Sequence, residues 1–206
     1  MGGLSLNRNI VTVSVGSKGI SVQPDTGSLE LVNKVKEGSG NSLWAERARG
    51  SDKIILHGVR QPGKAVQTTL TIHDPVRFAG SAFFRILKRK GIAFGGKWGR
   101  VKEGQPASLR GKTLLARHRS PELKELVERT NSKSDNILAQ HIFRRLGASV
   151  VGFGNVKNSE AVVRDFFKKN KISTLGFEMA DGSGLSENNR VAPFQLVYLL
   201  LSLIHI

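Results

Sequence analysis

Ser134, Asp135 and Asn136 lie where the polar run "NSK" gives way to the apolar, helix-periodic run "ILAQHIFRRLG". Two chemistries fit that position. In the first, the side-chain oxygens of Ser, Asp or Asn accept hydrogen bonds from the free amides of a helix start, and the triplet is a cap. In the second, Ser134 supplies a hydroxyl that can both accept and donate a proton. Asn136, two residues on, supplies a carboxamide with an acceptor and two donors. The triplet by itself leaves both readings open.

Other reactive groups offer less. The five histidines, His57, His73, His118, His141 and His205, show no metal-ligand spacing and have no cysteine partners, so no metal site is expected. The absence of cysteine also excludes disulfides and thiolate sites. Between Lys88 and Lys102 the chain gathers Lys88, Arg89, Lys90, Lys97, Arg100 and Lys102, with Phe94 and Trp98 among them. Cations neutralise phosphates and aromatics stack on bases, so this segment suits nucleic acid as well as a solvated hairpin. No recognised binding module surrounds it, and nucleic acid is not the expected partner.

The elements that must position these residues change character along the chain. "IVTVSVG" alternates, with Val11, Val13 and Val15 on one face. "VQTTLTIHD" repeats the pattern with Val66, Leu70 and Ile72, and "KIILHGV" reads as a buried strand. "GSKG", "EGSGN" and "RQPGK" read as turns. Asp74 and Pro75 then predict a helix start, with Val76, Ala79, Phe83 and Leu87 as its apolar stripe and Gly91 as its stop. Beyond Gly111 helices dominate. One opens at Ser120 and Pro121. A second carries Ile137, Leu138, Ile142 and Leu146 and is predicted to stop at Gly147. "SEAVVRDFFKKNKI" and "VAPFQLVYLL" are the third and fourth, and "LGFEMA" between them is a short strand candidate.

The 206 residues are 39% hydrophobic and 23% charged, enough for a real core. Lys plus Arg is 32 against 16 for Asp plus Glu, giving +16. That excess favours polyanionic surroundings such as nucleic acid, anionic lipid or an acidic wall polymer. The opening "MGGLSLNRNI" has no signal-peptide pattern. "LVYLLLSLIHI" is apolar but about half of the ~20 residues a membrane span needs. It also lacks a helix stop, and both ends read as possible truncations.

Three segments in series resemble the class C penicillin-binding proteins of the D-alanyl-D-alanine carboxypeptidase and endopeptidase group. "RHRSPELKELVERTNSKSDNILAQHIFRRLG", Arg117 to Gly147, is similar to that family's SDN block. "DGSGLSENNRVAPFQLVYLL", Asp181 to Leu200, is similar to its DGSGLS block. "LSLNRNIVTVSV" and "HDPVRFAGSAFFRILKRKGI" look like its inserted domain and the return from it. The resemblance implies an α+β fold: residues 1–111 a β-rich part of the inserted domain, residues 112–206 part of a penicillin-recognising, β-lactamase-like catalytic domain.

It also implies a mechanism. A serine of an SxxK motif attacks the carbonyl of a terminal D-Ala-D-Ala peptide, with the neighbouring lysine as base, and water later releases the acyl group. A KTG motif on a sheet edge binds the substrate carboxylate and frames the oxyanion hole. By this match Ser134 is the serine that relays a proton toward the leaving amine and Asn136 orients the substrate amide and the lysine. By the same match Asp135 is read as structural, and the Asp181–Ser186 loop as structural or as a rim of the cleft, not as catalytic.

None of the nineteen serines has a lysine three residues later, and Lys112-Thr113 is followed by Leu114, so both SxxK and KTG are missing. The implied picture is the middle of such an enzyme, outside the cytoplasmic membrane, needing no cofactor. Its partners would be peptidoglycan peptides and β-lactams in the intact parent. This chain alone is expected to be inactive and poorly soluble. A non-catalytic protein that binds an anionic polymer is the alternative.

Overall fold

The computed structural model describes residues 4–95, 99 and 110–204. Most of the predicted basic hairpin, with Lys97, Trp98, Arg100 and Lys102, lies outside the described residues. The chain divides into two compact units, Met1–Arg100 and Val101–Ile206. Among the described residues the chain has an α+β make-up of two small sheets and five helices.

The first unit holds both sheets. In one, strand β1 (Ile10–Gly16) pairs antiparallel with β2 (Gly19–Gln23) and with β6 (Val66–Thr71). The β1–β2 connection is Ser17-Lys18, bracketed by the paired Gly16 and Gly19, as "GSKG" predicts. In the other sheet, β5 (Lys53–Arg60) lies between β3 (Glu30–Glu37), parallel to it, and β4 (Ser42–Glu46), antiparallel. Val11, Val13 and Val15 on β1, Ile54 and Leu56 on β5, and Val66 on β6 meet in one core. Each such side chain contributes about 1.5–3 kcal/mol by leaving water.

Helix α1 (Pro75–Arg89) closes that core. Asp74 caps it, its Oδ1 accepting from the amides of Val76 and Arg77 at 3.0 Å. Gly91 adopts a left-handed φ of +71° just beyond its end. The buried stripe differs from the predicted one: Phe78 joins the sheet core and Ala82 is also buried, while Phe83 is 62% exposed. The helix carries two apolar stripes, and spacing alone does not rank them.

The second unit is helical: α2 (Leu123–Lys133), α3 (Asn136–Val151), α4 (Val156–Lys169) and α5 (Pro193–Ser202). Helix α2 begins three residues after Ser120, whose hydroxyl donates to the Pro121 carbonyl at 3.0 Å instead of capping amides. Helix α3 continues through Gly147 and stops at Gly152, which is left-handed at φ 79°. Gly147 is an interior contact point: a Cβ there would come within 2.7 Å of Ser159 Oγ on α4. Glycine therefore serves the helix crossing, not the helix end. Phe167, Ile172 and Phe177 form a small core, with Val163, Met179 and Leu199 packed around it. The strand candidate "LGFEMA" is reduced to one antiparallel bridge between Glu178 and Arg190.

Candidate active site

Helix α2 ends and α3 begins within three residues, and each of those residues has a distinct backbone task. Ser134 is left-handed, with φ 50° and ψ 46°. The Asp135 amide reaches back to the Thr130 carbonyl at 3.0 Å, which closes the end of α2 in a Schellman-type turn. Glycine is the usual residue at the left-handed position, and a side chain there costs about 1–2 kcal/mol. A serine is thus retained at a place where the backbone prefers none. Such outliers cluster at functional sites.

Asp135 has the capping task. Its Oδ1 accepts from the Leu138 amide at 3.1 Å, its carbonyl accepts from Ala139, and it is 6% exposed. Burial of Asp135 turns its neighbours outward: Ser134 and Asn136 are both exposed, on either side of it in sequence. The capping chemistry therefore falls to Asp135. The aspartate caps the helix, and the hydroxyl and carboxamide are left clear of that role.

The Asp181–Arg190 loop is fixed against the same helix. Asp181 Oδ1 accepts from the amides of Ser183 at 3.0 Å and Gly184 at 2.7 Å, and from Asn189 Nδ2 at 3.1 Å. Its Oδ2 accepts from the Ser186 amide at 2.8 Å. Desolvation raises the pKa of Asp181, but the donors Asn189, Gly184, Ser186 and Ser183 outweigh it and hold the carboxyl below its ordinary value. Asn189 Oδ1 in turn accepts from the amides of Ala180 and Asp181. The loop is docked by Gln140, buried on α3 one turn after Asn136, whose Oε1 accepts from the Gly182 amide at 2.6 Å. An aspartate that spends its oxygens on its own loop is a structural hub.

Two further side chains fix the frame, and sequence reading missed both. Arg164 on α4 binds Glu160 Oε1 through Nε and Nη2, donates to the carbonyls of Thr174 and Phe177, and lies 5.3 Å from the Phe177 ring centre. Gln195 is fully buried on α5. It donates to the carbonyls of Ser173 at 2.8 Å and Leu175 at 3.1 Å and accepts from the Ala192 amide at 2.7 Å. Nothing in their spacing distinguishes them from surface polar residues. Only the Glu160–Arg164 separation of four, which suits an ion pair on a helix, was a usable signal.

Between these helices lies an open concavity of about 640 Å³, walled by apolar side chains such as Val127, Ile142, Phe143, Leu146, Phe167 and Leu199. Thr130, Asn131 and Ala139, close in sequence to the triplet, border it, whereas Ser134 and Asn136 do not. His141 on α3 has an Nε2 atom buried without a hydrogen-bond partner, and burial followed by the charge of Arg144 lowers its pKa. Among the described residues no group of three His, Asp or Glu side chains could hold a metal, and no helix is long and apolar enough to cross a membrane.

This arrangement has known counterparts. The D-alanyl-D-alanine carboxypeptidase of Actinomadura sp. (strain R39) is 29% identical over 198 residues, which is 92% of this chain and 36% of that protein. The D-alanyl-D-alanine carboxypeptidase DacB of Haemophilus influenzae is 32% identical over 138 residues, 64% of this chain and 27% of that one. The fold is similar to that of penicillin binding protein 4 from Haemophilus influenzae solved with a β-lactam: TM-score 0.71, 20% identity, 97% of this chain and 47% of the other covered. The chain thus spans about a third of the curated relatives it matches. Residues 2–204, nearly its whole length, match one family throughout, and on that match the chain belongs to the D-Ala-D-Ala carboxypeptidase 3 (S13) family.

Proposed function

We propose that this chain supplies the SxN portion of a serine D-Ala-D-Ala carboxypeptidase site that acts on peptidoglycan stem peptides and is acylated by β-lactams. Residues 1–111 belong to the inserted domain and residues 112–206 to the catalytic domain. Ser134 relays a proton toward the leaving amine, and Asn136 holds the substrate amide and the lysine of an SxxK motif in register. The attacking serine, that lysine and the KTG motif are not among these residues, so the chain by itself does not turn over substrate. The side chains of such a site carry the reaction without a cofactor, and the work takes place outside the cytoplasmic membrane.

One observation carries this reading. Ser134 occupies a left-handed position that a glycine would fill at lower cost, while the buried Asp135 beside it performs the capping. The apolar concavity and the exposed side chains of α5, among them Leu200, support the view that the helical unit packs against further elements of a longer protein.

The test uses the longer gene product that includes SxxK and KTG, labelled with a fluorescent penicillin. Ser134→Ala should slow acylation by roughly 100-fold or more, the usual scale for loss of a proton-transfer group. Ser134→Gly, which relieves the backbone but also lacks the hydroxyl, should be equally slow. An unchanged acylation rate in a folded Ser134→Gly variant would remove Ser134 from the mechanism.

A further inference from the structure

The first unit carries a cationic concavity that the catalytic reading does not use. The C-terminal half of α1 and the loop between β2 and β3 enclose about 770 Å³, lined by Thr26, Ser81, Phe84, Arg85, Lys88 and Arg89 together with Gly27. Arg85 is set in place on two sides. Its Nη2 meets Asp25 Oδ2 at 2.9 Å, and Asp25 Oδ1 accepts from the Gly27 amide at 3.1 Å. Gly27 has a φ of +66°, and a Cβ there would meet Arg85 Nη1, so the guanidinium rests directly against this glycine. Asp25 is the carboxylate paired with this cluster among the described residues, leaving Lys88 and Arg89 exposed and in excess. Cations in the last turn complement the helix dipole, which accounts for Lys88 and Arg89 by themselves. It does not account for Arg85, one turn earlier and seated on a glycine loop.

We propose that this concavity binds the phosphate groups of a phosphodiester-linked polymer that carries no bases. Two guanidinium forks, one of them paired with Asp25, and an ammonium line one open cavity, a donor set suited to the several oxygens of a phosphate. The lining aromatic, Phe84, is half-buried and meets Phe94 edge-on at 5.0 Å, so it does not offer the open ring face on which bases stack. Among the described residues that line it, the site offers cations and no open aromatic face. It stands independently of Ser134 and Asn136.

The test titrates the full chain, at fixed ionic strength, with inorganic phosphate, a short poly(glycerol phosphate) and a single-stranded oligonucleotide of equal phosphate count. Amide shifts at Gly27 and Ser81 report occupancy. The expected result is saturable shifts there with phosphate, tighter binding of poly(glycerol phosphate), and weaker binding of the oligonucleotide. Lys88→Gln with Arg89→Gln should weaken polymer binding by about tenfold or more, as expected for two charge-assisted contacts. Lys34→Gln with Lys36→Gln removes the same charge from β3 and should change it by less than about twofold. Gly27→Ala, which displaces the Arg85 guanidinium, should weaken phosphate binding without unfolding the unit. Equal losses in the two double variants would reduce the effect to diffuse charge. Oligonucleotide binding at least as tight as poly(glycerol phosphate), or no shift at Gly27 with any probe, would overturn the proposal.

Discussion

In the first unit Val11, Val13, Val15, Ile54, Leu56 and Phe78 are each at most 1% exposed and meet in one core. In the second, the most completely buried side chains are Ser159 and Gln195, and the apolar cluster is small, Phe167, Ile172 and Phe177 with Val163, Met179 and Leu199 packed against it. The β-rich unit is held by the removal of apolar surface from water. The helical unit is held to a larger extent by polar pins: Gln140 on Gly182, Asp181 on its own loop, Arg164 on the Thr174 and Phe177 carbonyls, Gln195 on those of Ser173 and Leu175. Two kinds of core follow. One is complete in itself; the other defines geometry and leaves apolar faces of α5 uncovered. Hydrogen bonds give less net stability than burial but are costly to leave unmade, so the second unit is defined more by specific geometry than by buried area.

The largest effect that would test this contrast is on the first unit. Phe78→Ala should destabilise it by about 3–5 kcal/mol, the scale for an aromatic removed from a filled core. Hydrogen exchange, read unit by unit, is the measurement, because a two-unit chain has no single unfolding free energy. Protection lost equally in both units would mean that they share one core. Asp181→Ala comes next, with an expected loss on the order of 3 kcal/mol confined to the second unit, since it leaves several amides and Asn189 without their acceptor. Protection unchanged at Gly184 and Ser186 would show that the loop is held by packing instead.

The smallest effect is a pH dependence. The Asp181 carboxyl is held below its ordinary value in the folded chain, so on acidification the unfolded chain takes up that proton first. Its contribution is complete above the unfolded value of about 3.9 and is lost as pH falls through the lower, folded one. His141, also lowered, acts in the same direction but earlier: its contribution is complete above about pH 6.5 and declines below it. The second unit should therefore lose exchange protection in two stages as pH falls from 7 to 3. A second unit more stable at pH 4 than at pH 7 would contradict the sign.

Much of the architecture was legible in local sequence. Strict alternation in "IVTVSVG" gave β1 and its buried valines, and Asp74 with Pro75 gave the start of α1, because both signals act through the backbone within a few residues. Strands β2, β3 and β4 were not picked out: β2 and β4 alternate in burial but are only five residues long, and the alternation of β3 is broken. The core-facing stripes were misjudged for a related reason. On α1 the spacing of Val76, Ala79, Phe83 and Leu87 is as regular as that of Phe78 and Ala82, and on α3 the buried line is Gln140, Phe143 and Gly147, not the Ile and Leu stripe. Periodicity shows that a helix has an apolar side. It does not show which side meets a partner.

The site divides in the same way. Residue types at 134, 135 and 136 already held a hydroxyl, a carboxylate and a carboxamide in the order the proposed chemistry uses, and the flanking blocks carried the family resemblance. The assignment of capping to Asp135 and exposure to Ser134 and Asn136 needed the turn between α2 and α3, a left-handed residue that sequence does not announce when it is not glycine. The dual reading of Gly147 is the clearest example: its lack of a side chain signals a helix stop locally, yet the close approach of Ser159, twelve residues on, makes it the interior of a helix crossing. Local chemistry was set by the sequence because it acts between neighbours. Which residue performed each task was decided by contacts between segments that only the folded chain brings together.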